Sequence, residues 1–167
     1  MISLSHYNKN WALNFKREKI LIEHFTQSSG LIIEHVGSTS VPGLKAKPII
    51  DILIGINSLK DADKVIDKMV INMDYQYIAH YENTMPYRRY FKKTTNTISF
   101  NVHLVEIDSQ FWKDLLLFRD ILRSEPSIAT EYEILKINLA ANHNDVATYA
   151  EAKSEFIIRT LAIGRIR

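Results

Sequence analysis

The sequence predicts a single α+β domain, in which a small mixed sheet is preceded by an N-terminal helix and followed by a C-terminal cluster of helices. Three observations predict this fold class. A helical apolar stripe begins the chain, short apolar runs separated by turns fill its middle, and capped helical patterns follow residue 108. The length of 167 residues fits one domain spanning 1–167.

The N-terminal part of the chain is predicted to form one helix and two strands. A helix is expected over 8–27 and ends at the Ser-Ser-Gly segment 28–30, and apolar runs predict strands over 31–36 and 48–56. The helix carries a loose apolar stripe made of Trp11, Phe15, Ile20, Ile22 and Phe25. The second strand is almost wholly apolar, so we expect it to be largely buried.

The middle of the chain is predicted to hold a capped helix and three further strands. Ser58 can cap a helix that runs to about Met73, because a serine hydroxyl accepts a hydrogen bond from the first helical turn. Runs of apolar and β-branched residues predict strands over 75–78, 88–93 and 97–107. A loop over 80–87 and a turn at 94–96 separate these strands.

The remainder of the chain is predicted to be helical. Asp108 or Ser109 caps the first of these helices, and a proline opens the second, which is expected over 126–141. Asn144 is expected to open a third helix over 145–163. These helices are expected to pack on the sheet as a cluster.

The composition excludes several classes of protein. With no cysteine, the chain has no disulfide framework, no thiolate nucleophile and no cysteine-based zinc site, and its six histidines show no His-x3-His pair. The formal net charge of +2 is too small to indicate nucleic-acid binding. There is no signal-peptide core and no apolar run near the roughly 20 residues that cross a bilayer, so we expect a soluble cytoplasmic protein without a membrane partner.

The segment from His35 to Ile56, HVGSTSVPGLKAKPIIDILIGI, carries the clearest indication of chemistry. A strand ends in a turn at Gly37 and Ser38, where glycine lets the backbone approach a ligand and nearby amides can hold phosphate oxygens. Asp51 then stands alone in an apolar strand, and such a carboxylate is costly unless a cation, hydrogen bonds or a proton satisfies it. An acid on a stiff strand near such a turn favours metal-assisted phosphoryl chemistry.

This segment resembles the signature of the GrpB family, a branch of the polymerase-beta-like nucleotidyltransferase superfamily. The similarity covers most of the chain and includes the segments 88–91, 101–105, 118–123 and 132–136. The resemblance implies a nucleotidyltransferase-like fold that uses a nucleoside triphosphate and Mg²⁺. Because members of the family also occur fused to dephospho-CoA kinase, it further implies a link to CoA metabolism.

The chain departs from the superfamily pattern at two places. A second carboxylate should follow Asp51 by two residues, and Leu53 occupies that position. The GrpB pattern tends to show His-x-His on a neighbouring strand, where this chain has Asn101 and His103. A site with one carboxylate binds Mg²⁺ weakly unless substrate phosphates contribute. The resemblance therefore implies nucleotide handling more firmly than it implies catalysis.

The candidate site residues follow from the motif, the resemblance and the distribution of charge. Asp51 and His103 are the candidate catalytic residues, and Asp51 with Asn101 forms the candidate Mg²⁺ site. The candidate phosphate-binding residues are Gly37, Ser38, Thr39, Lys47, Arg89, Arg119, Lys136 and Lys153.

Structural alternatives exist for the main candidates. Gly37 with Ser38 also fits an ordinary tight turn, Asp51 also fits an acid paired with a neighbouring cation, and His103 also fits a core histidine bonded to a backbone carbonyl. Lys136 and Lys153 each follow a tyrosine by four residues, which places each pair on one helical face. The alternative for both lysines is an ordinary surface position.

Two functions are compatible with these residues. In the first, the protein transfers a nucleotidyl group from a nucleoside triphosphate to an unknown acceptor. In the second, the missing second carboxylate means that catalysis was lost, and the protein is a binding module for a nucleotide or a CoA-like phosphate ligand. A structural role without a ligand is a third, weaker alternative.

Overall fold

The computed structural model describes residues 3–27, 30–142 and 146–166. Within them, the strands are β1 (Ile32–Val36), β2 (Ile49–Ile56), β3 (Gln76–Tyr77), β4 (Arg88–Thr94) and β5 (Ser99–Glu106). They form one sheet in the order β1-β2-β5-β4-β3. Strands β2 and β5 run parallel, and the other neighbours are antiparallel. The predicted mixed sheet is therefore confirmed, with strand bounds within two residues of those expected.

The helices precede, interrupt and follow the sheet as the sequence predicts. They are α1 (Asn10–Thr26), α2 (Ala62–Met73), α3 (Gln110–Ser124), α4 (Pro126–Asn142), α5 (Val146–Glu151) and α6 (Ser154–Ile166). Ser109 caps α3, because its hydroxyl accepts a hydrogen bond from the Trp112 N–H. Ser58 caps a short 3₁₀ turn that leads into α2. None of the described helices has the length and apolar character needed to cross a membrane.

The prediction of one continuous helix over 145–163 is wrong. The structure has two helices, α5 and α6, separated by a turn at Ala152 and Lys153. Neither glycine nor proline marks the break, so the local sequence gives little sign of it, although α6 begins at a serine. The predicted end of the first helix at Ser28 and Ser29, and the predicted opening at Asn144 and Asp145, lie outside the described residues.

The two faces of the sheet pack against different helices. One face lies against α1 and α2, and its core includes Ile50, Ile52, Val102 and Leu104. On the other face, α3 covers Val36, Leu53 and Val105 with Trp112. A further cluster joins α3, α4 and α6 through Phe118, Tyr132 and Phe156. Because side chains alternate along a strand, Asp51 shares the second face with Leu53, on the side of the C-terminal helices.

Candidate functional site

Asp51 lies in a row of residues that crosses three strands. Its partner on β5 is Asn101, and the partner of Asn101 on β4 is Lys92. Asn101 Nδ2 donates a hydrogen bond of 3.0 Å to Asp51 Oδ1. Burial raises the pKa of Asp51 to about 6, although the Asn101 hydrogen bond and the charges of Lys153 and Lys47 act in the opposite direction. A carboxyl group whose pKa is raised in this way is a candidate for a functional role.

Gly37 brings the following turn against this carboxylate. The preceding residue, Val36, pairs with Asp51 across β1 and β2. Gly37 has a φ of +71°, and a Cβ at this position would overlap Asp51 Oδ2 and lie 3.0 Å from Asp51 Cβ. Glycine is therefore needed both for the backbone conformation and for the close approach.

The turn that follows this glycine, Ser38–Ser40, is stabilised by hydrogen bonds of the Thr39 side chain. Thr39 Oγ1 donates a hydrogen bond to the Ile49 carbonyl at 3.0 Å and lies 3.1 Å from His35 Nε2. Because the hydroxyl proton is directed at the carbonyl, His35 Nε2 is the donor to Thr39. Burial, followed by the positive charges of two nearby arginines, lowers the pKa of His35 to about 4. His35 is therefore neutral near pH 7 and supports the turn.

A cleft of about 490 Å³ opens beside Asp51 and the turn. Residues of the β1–β2 segment, of β2, β4 and β5, and of the C-terminal helices line it. They are Ser38, Thr39, Ala46, Lys47, Ile49, Asp51, Tyr81, Tyr90, Lys92, Asn101, Lys136, Tyr149 and Lys153. The cleft thus brings together seven of the residues that the sequence nominated, namely Ser38, Thr39, Lys47, Asp51, Asn101, Lys136 and Lys153.

Two of the lysines share one aromatic ring. Lys47 Nζ lies 4.1 Å, and Lys153 Nζ 4.5 Å, from the centroid of the Tyr149 ring. Such contacts stabilise ammonium groups through the negative face of the ring. Burial lowers the pKa of Lys153 to about 8, with Asp51 acting in the opposite direction and Lys47 reinforcing the shift. Burial also lowers the pKa of Lys47, against the charge of Asp51.

Lys136 is the most deeply buried of the cleft lysines, with 2% of its surface exposed. Its ammonium group donates a hydrogen bond to the Lys45 carbonyl and lies 4.9 Å from the centroid of the Tyr132 ring. Burial, reinforced by the charge of Lys153, lowers the pKa of Lys136 to about 7. The structure therefore differs from the alternative in which Lys136 is an ordinary surface lysine.

The charge of the cleft is unbalanced. Four lysines line it, whereas Asp51 is the sole carboxylate among the described lining residues. An excess of charges of one sign in a partly buried cleft favours a ligand of the opposite sign. The arrangement is therefore suited to an anion that carries several negative charges.

His103 lies outside the cleft, further along β5 than Asn101. Its partner on β2 is Leu53. Arg88 Nη1 donates to His103 Nδ1 at 3.3 Å, and the histidine ring packs near Tyr90 and Phe111. Burial, followed by the charge of Arg88, lowers the pKa of His103 to about 3. The nominated catalytic histidine is therefore a neutral packing residue in this structure.

Two nominated arginines are also directed away from the cleft. Arg89 faces the opposite side of β4 and forms an ion pair of 3.0 Å with Glu82. Arg119 forms ion pairs of 2.7 Å with Glu34 and with Asp120. Both guanidinium groups therefore have carboxylate partners at other places in the fold.

Among the polar residues of the cleft, the sequence analysis gave no role to Lys92, Tyr81 and Tyr90. Lys92 and Tyr90 alternate on β4, so their shared face was readable once that strand was predicted. The missing information was the register of β4 on β5 and of β5 on β2, which places Lys92 in the row of Asp51. Tyr81 follows β3 in a 3₁₀ segment and lies over Tyr90, with ring centroids 5.4 Å apart.

Mg²⁺ prefers six oxygen ligands, so the oxygen donors near Asp51 decide whether these residues fit the ion. Asp51 and the amide oxygen of Asn101 are the oxygen donors that the nominated metal site offers. Among the described residues, no group of three or more His, Cys, Asp or Glu side chains could hold a metal ion. These residues fit Mg²⁺ that arrives with substrate phosphates, because such ions commonly take one or two carboxylates and complete their shell with phosphate oxygens and water.

Comparison with known proteins identifies the family. The family described as GrpB protein matches residues 1–162. The chain belongs to the GrpB family. This GrpB-family chain is 40% identical over 152 residues to the UPF0157 protein YqkA of Bacillus subtilis, covering 90% of this chain and 43% of YqkA. It is 34% identical over 161 residues to the glutamate-rich protein GrpB of Alkalihalophilus pseudofirmus, covering 93% of this chain and 91% of that protein.

A solved structure agrees with this assignment to the GrpB family. The crystal structure of the conserved protein GrpB from Enterococcus faecalis matches this chain with a TM-score of 0.85 and 32% sequence identity. The match covers 97% of this chain and 96% of that one. The chain thus spans less than half the length of YqkA but nearly all of this structural relative. The predicted membership of the GrpB family is confirmed.

Proposed function

We propose that this GrpB-family protein binds a nucleoside triphosphate in the Asp51 cleft and transfers its nucleotidyl group to an acceptor. We further propose that its fold is of the polymerase-beta-like nucleotidyltransferase type and that residues 1–167 act as one domain. The single observation that carries the proposal is the convergence of four lysines on one carboxylate in a cleft bounded by a glycine turn. Lysines suit phosphate oxygens, and the turn beside them offers further donors.

The distribution of residues along the cleft favours a nucleotide over inorganic phosphate. Three of the four lysines, Lys47, Lys136 and Lys153, come from the β1–β2 segment and the C-terminal helical region. Tyr81 and Tyr90, together with Lys92, belong to the β3–β4 side. Strands β2 and β4 flank β5, so they lie about 10 Å apart at the usual spacing. This separation suits phosphates at the lysine end and a base stacked on the tyrosine end.

The chain's own residues would neutralise and orient the ligand. Lys136 and Lys153 neutralise phosphate charge, Ser38 holds a phosphate oxygen, and the Asn101 amide keeps Asp51 in place. Mg²⁺, when bound by Asp51 and Asn101 together with phosphate oxygens, would supply further charge neutralisation. As the oxygen of an acceptor hydroxyl bonds to the α-phosphorus, the bond between the α-phosphorus and the bridging oxygen breaks, pyrophosphate leaves and the hydroxyl proton passes to water. This displacement depends mainly on alignment.

A second candidate function is ligand binding without catalysis. Leu53 occupies the place of the second carboxylate and is fully buried against Val36, Val105 and Trp112, so no acid can replace it without disrupting that cluster. A protein of this kind would retain the lysine cleft for a nucleotide or for a CoA-like phosphate ligand. The presence of a single carboxylate favours this alternative. A measurement of catalytic turnover distinguishes the two functions.

Pyrophosphate release tests the proposed reaction. The purified protein is incubated with each nucleoside triphosphate, Mg²⁺ and a broad panel of hydroxyl- and amine-bearing acceptors, and pyrophosphate is measured by a coupled enzyme assay. Acceptor-dependent release is expected. Saturable nucleotide binding without release across the panel would support the binding module, and the absence of both binding and release would overturn both functions.

Removal of a cleft lysine is expected to weaken binding of the phosphates selectively. Lys136→Met or Lys153→Met keeps an apolar stem of similar length, and each should weaken ATP binding about tenfold or more while changing adenosine binding little. Because the pKa values of these lysines are lowered to about 7 and 8, wild-type affinity for ATP should fall as the pH rises from 6 to 9.

Calorimetric titration measures these affinities, and Lys113→Met on the exposed side of α3 is the matched control. Both cleft variants should show a flatter pH dependence than the wild type. Equal losses for ATP and adenosine, or a wild-type affinity that rises with pH, would contradict the assignment of phosphates to the lysine end.

Removal of the Tyr81 ring is expected to weaken recognition of the base. Tyr81→Ala should reduce the affinity for ATP and adenosine by about fivefold or more, because stacking on an aromatic ring contributes roughly 1–3 kcal/mol per base. The affinity of this variant for tripolyphosphate should stay within about twofold of the wild-type affinity. Tyr87→Ala is the control, since Tyr87 is exposed near Phe111 and does not line the cleft. A loss for tripolyphosphate equal to that for ATP would place the base elsewhere.

A further inference from the structure

A second cavity, of about 640 Å³, lies on the other side of the β1–β2 segment. Buried apolar side chains of Val41, Leu44 and Leu122 form part of its lining, together with Ala129 of α4. Arg123 of α3 and Glu133 of α4 are among its polar lining residues. Its volume lies in the range of small-molecule sites, which are mostly apolar with a few placed polar groups.

The β1–β2 segment separates this cavity from the Asp51 cleft. Residues 40–44 line the second cavity, whereas Ala46 and Lys47 line the cleft, and Thr39 borders both. Helix α4 forms hydrogen bonds with both the N–H and the carbonyl of Lys45, which lies between the two spaces. Glu133 Oε2 accepts a hydrogen bond of 2.7 Å from the Lys45 N–H, and Lys136 donates to the Lys45 carbonyl. The cavity and the cleft are therefore distinct, and a peptide segment that these hydrogen bonds hold in place separates them.

The charges in this second cavity differ from those in the cleft. Glu133 is already compensated, because its Oε1 lies 3.9 Å from Lys45 Nζ and its Oε2 binds the Lys45 amide. Arg123 donates from Nε and Nη2 to the Ser40 carbonyl, at 3.1 and 2.8 Å. Within the part of the chain that the structure describes, no carboxylate forms an ion pair with Arg123. The cavity thus contains one cation without a described carboxylate in direct contact, although the charges of Glu34 and Asp120 act on it from a distance.

The neighbouring Arg119 adds little net charge, because its guanidinium group is paired with Glu34 and Asp120. Arg119, one turn before Arg123 on α3, donates to the His35 carbonyl at 3.2 Å. His35, which also lines the cavity, is neutral because burial, followed by the charges of Arg123 and Arg119, lowers its pKa. One cation beside a largely apolar lining selects a single negative charge, and the nearby Glu133 carboxylate disfavours a second one.

We propose that this cavity is a second small-molecule site, which binds a compound with one carboxylate and an apolar body. The carboxylate pairs with the Arg123 guanidinium, and the apolar body lies against Val41, Leu44 and Leu122. The proposal stands apart from nucleotide binding, because the cavity and the cleft are separated by the β1–β2 segment.

The charge selectivity of the cavity tests the proposal directly. The probe is 4-phenylbutyrate at millimolar concentration, compared with 4-phenylbutylamine, which has the same apolar body and the opposite charge. Saturation-transfer difference NMR measures binding to the full chain. The carboxylate is expected to bind saturably, and the amine is expected to bind at least tenfold more weakly. Equal binding of the two compounds, or binding of neither, would overturn the proposal.

Four variants locate the bound probe. Arg123→Met should weaken binding about tenfold, since it removes a charge-assisted contact, whereas Arg17→Met on the exposed surface of α1 should leave it unchanged. Ala129→Leu should block the cavity while keeping the Arg123 contacts with Ser40, so it tests occupancy even where Arg123→Met alters the turn. Asp51→Asn should leave probe binding unchanged. Binding unaffected by Arg123→Met and Ala129→Leu, or lost with Asp51→Asn, would place the probe elsewhere and refute the site.

Discussion

Asp51→Asn is expected to remove the Mg²⁺-dependent part of ATP binding while stabilising the ligand-free protein above about pH 6. The raised pKa means that the folded state disfavours the charged carboxylate. The carboxyl group therefore contributes favourably to stability below its usual pKa of about 4, and this contribution is lost as the pH rises through about 6. Asparagine carries no charge, so above pH 6 it avoids the cost, by an amount on the order of 1 kcal/mol.

The same substitution has the opposite effect on the ligand complex. ATP with Mg²⁺ at about a hundred times its dissociation constant should stabilise the wild type by about 2.7 kcal/mol. The part of this stabilisation that depends on Mg²⁺ should disappear in Asp51→Asn, because the charged metal ligand is gone. Thermal unfolding at pH 4, 6 and 8, with ATP and with or without Mg²⁺, measures both effects.

Asp120→Asn is the matched control for this experiment, since Asp120 lies in α3 and pairs with Arg119 at a distance from the cleft. It should leave the Mg²⁺ dependence intact. A variant at Asp51 that lost stability at pH 8 would show a structural ion-pair role instead. Mg²⁺ that made no difference to ATP binding in the wild type would remove the main support for nucleotidyl transfer.

Gly37→Ala is expected to cause the largest loss of stability among the predicted single substitutions. The added Cβ would overlap Asp51 Oδ2, and the backbone there has a positive φ of +71°. With a ψ of −176°, this backbone lies in a region that is essentially restricted to glycine and costs about 1–3 kcal/mol for other residues, and overpacking adds about 1–3 kcal/mol. We expect the free energy of unfolding to fall by about 2–6 kcal/mol and ATP binding to be lost, because the turn and the carboxylate must move apart.

Gly43→Ala separates the two contributions. Gly43 also has a positive φ, of +83°, but a Cβ there would meet nothing within 4 Å. This control should lose only about 1 kcal/mol and should retain ATP binding. Urea unfolding monitored by tryptophan fluorescence compares the two variants. Similar losses for both would mean that the backbone conformation alone, and not the contact with Asp51, explains the glycine at position 37.

Much of the fold was predictable because its signals are local. Apolar runs bounded by turns located the strands, and Ser109 and Pro126 marked the starts of two helices. The break between α5 and α6 was not predictable in this way. It occurs at Ala152 and Lys153, where the local sequence favours a helix and the side chain of Lys153 lies in the cleft.

The sequence predicted the site residues that strands adjacent in the chain bring together. It did not predict those whose position depends on the order and register of the strands in the sheet. Gly37 and Asp51 meet because β1 and β2 form an antiparallel pair linked by the turn. Lys92 was missed because it joins the cleft only through the register of β4 on β5 and the non-local pairing of β5 with β2. Arg89 and His103 have suitable chemistry, but the first faces the other side of its strand and the second lies further along β5. The type of a side chain does not determine which face of a strand it lies on, or how far along the strand it lies.

The hydrogen bond between Lys136 and the Lys45 carbonyl joins residues 91 positions apart in the chain. Asp51 is translated before Lys136 and Lys153, the lysines that the C-terminal helical region contributes to the cleft. On the ribosome, a nascent chain from which α4 and α6 have not yet emerged therefore presents this carboxylate without the two ammonium groups. The ability to hold a ligand is consequently acquired only after these helices have emerged and docked.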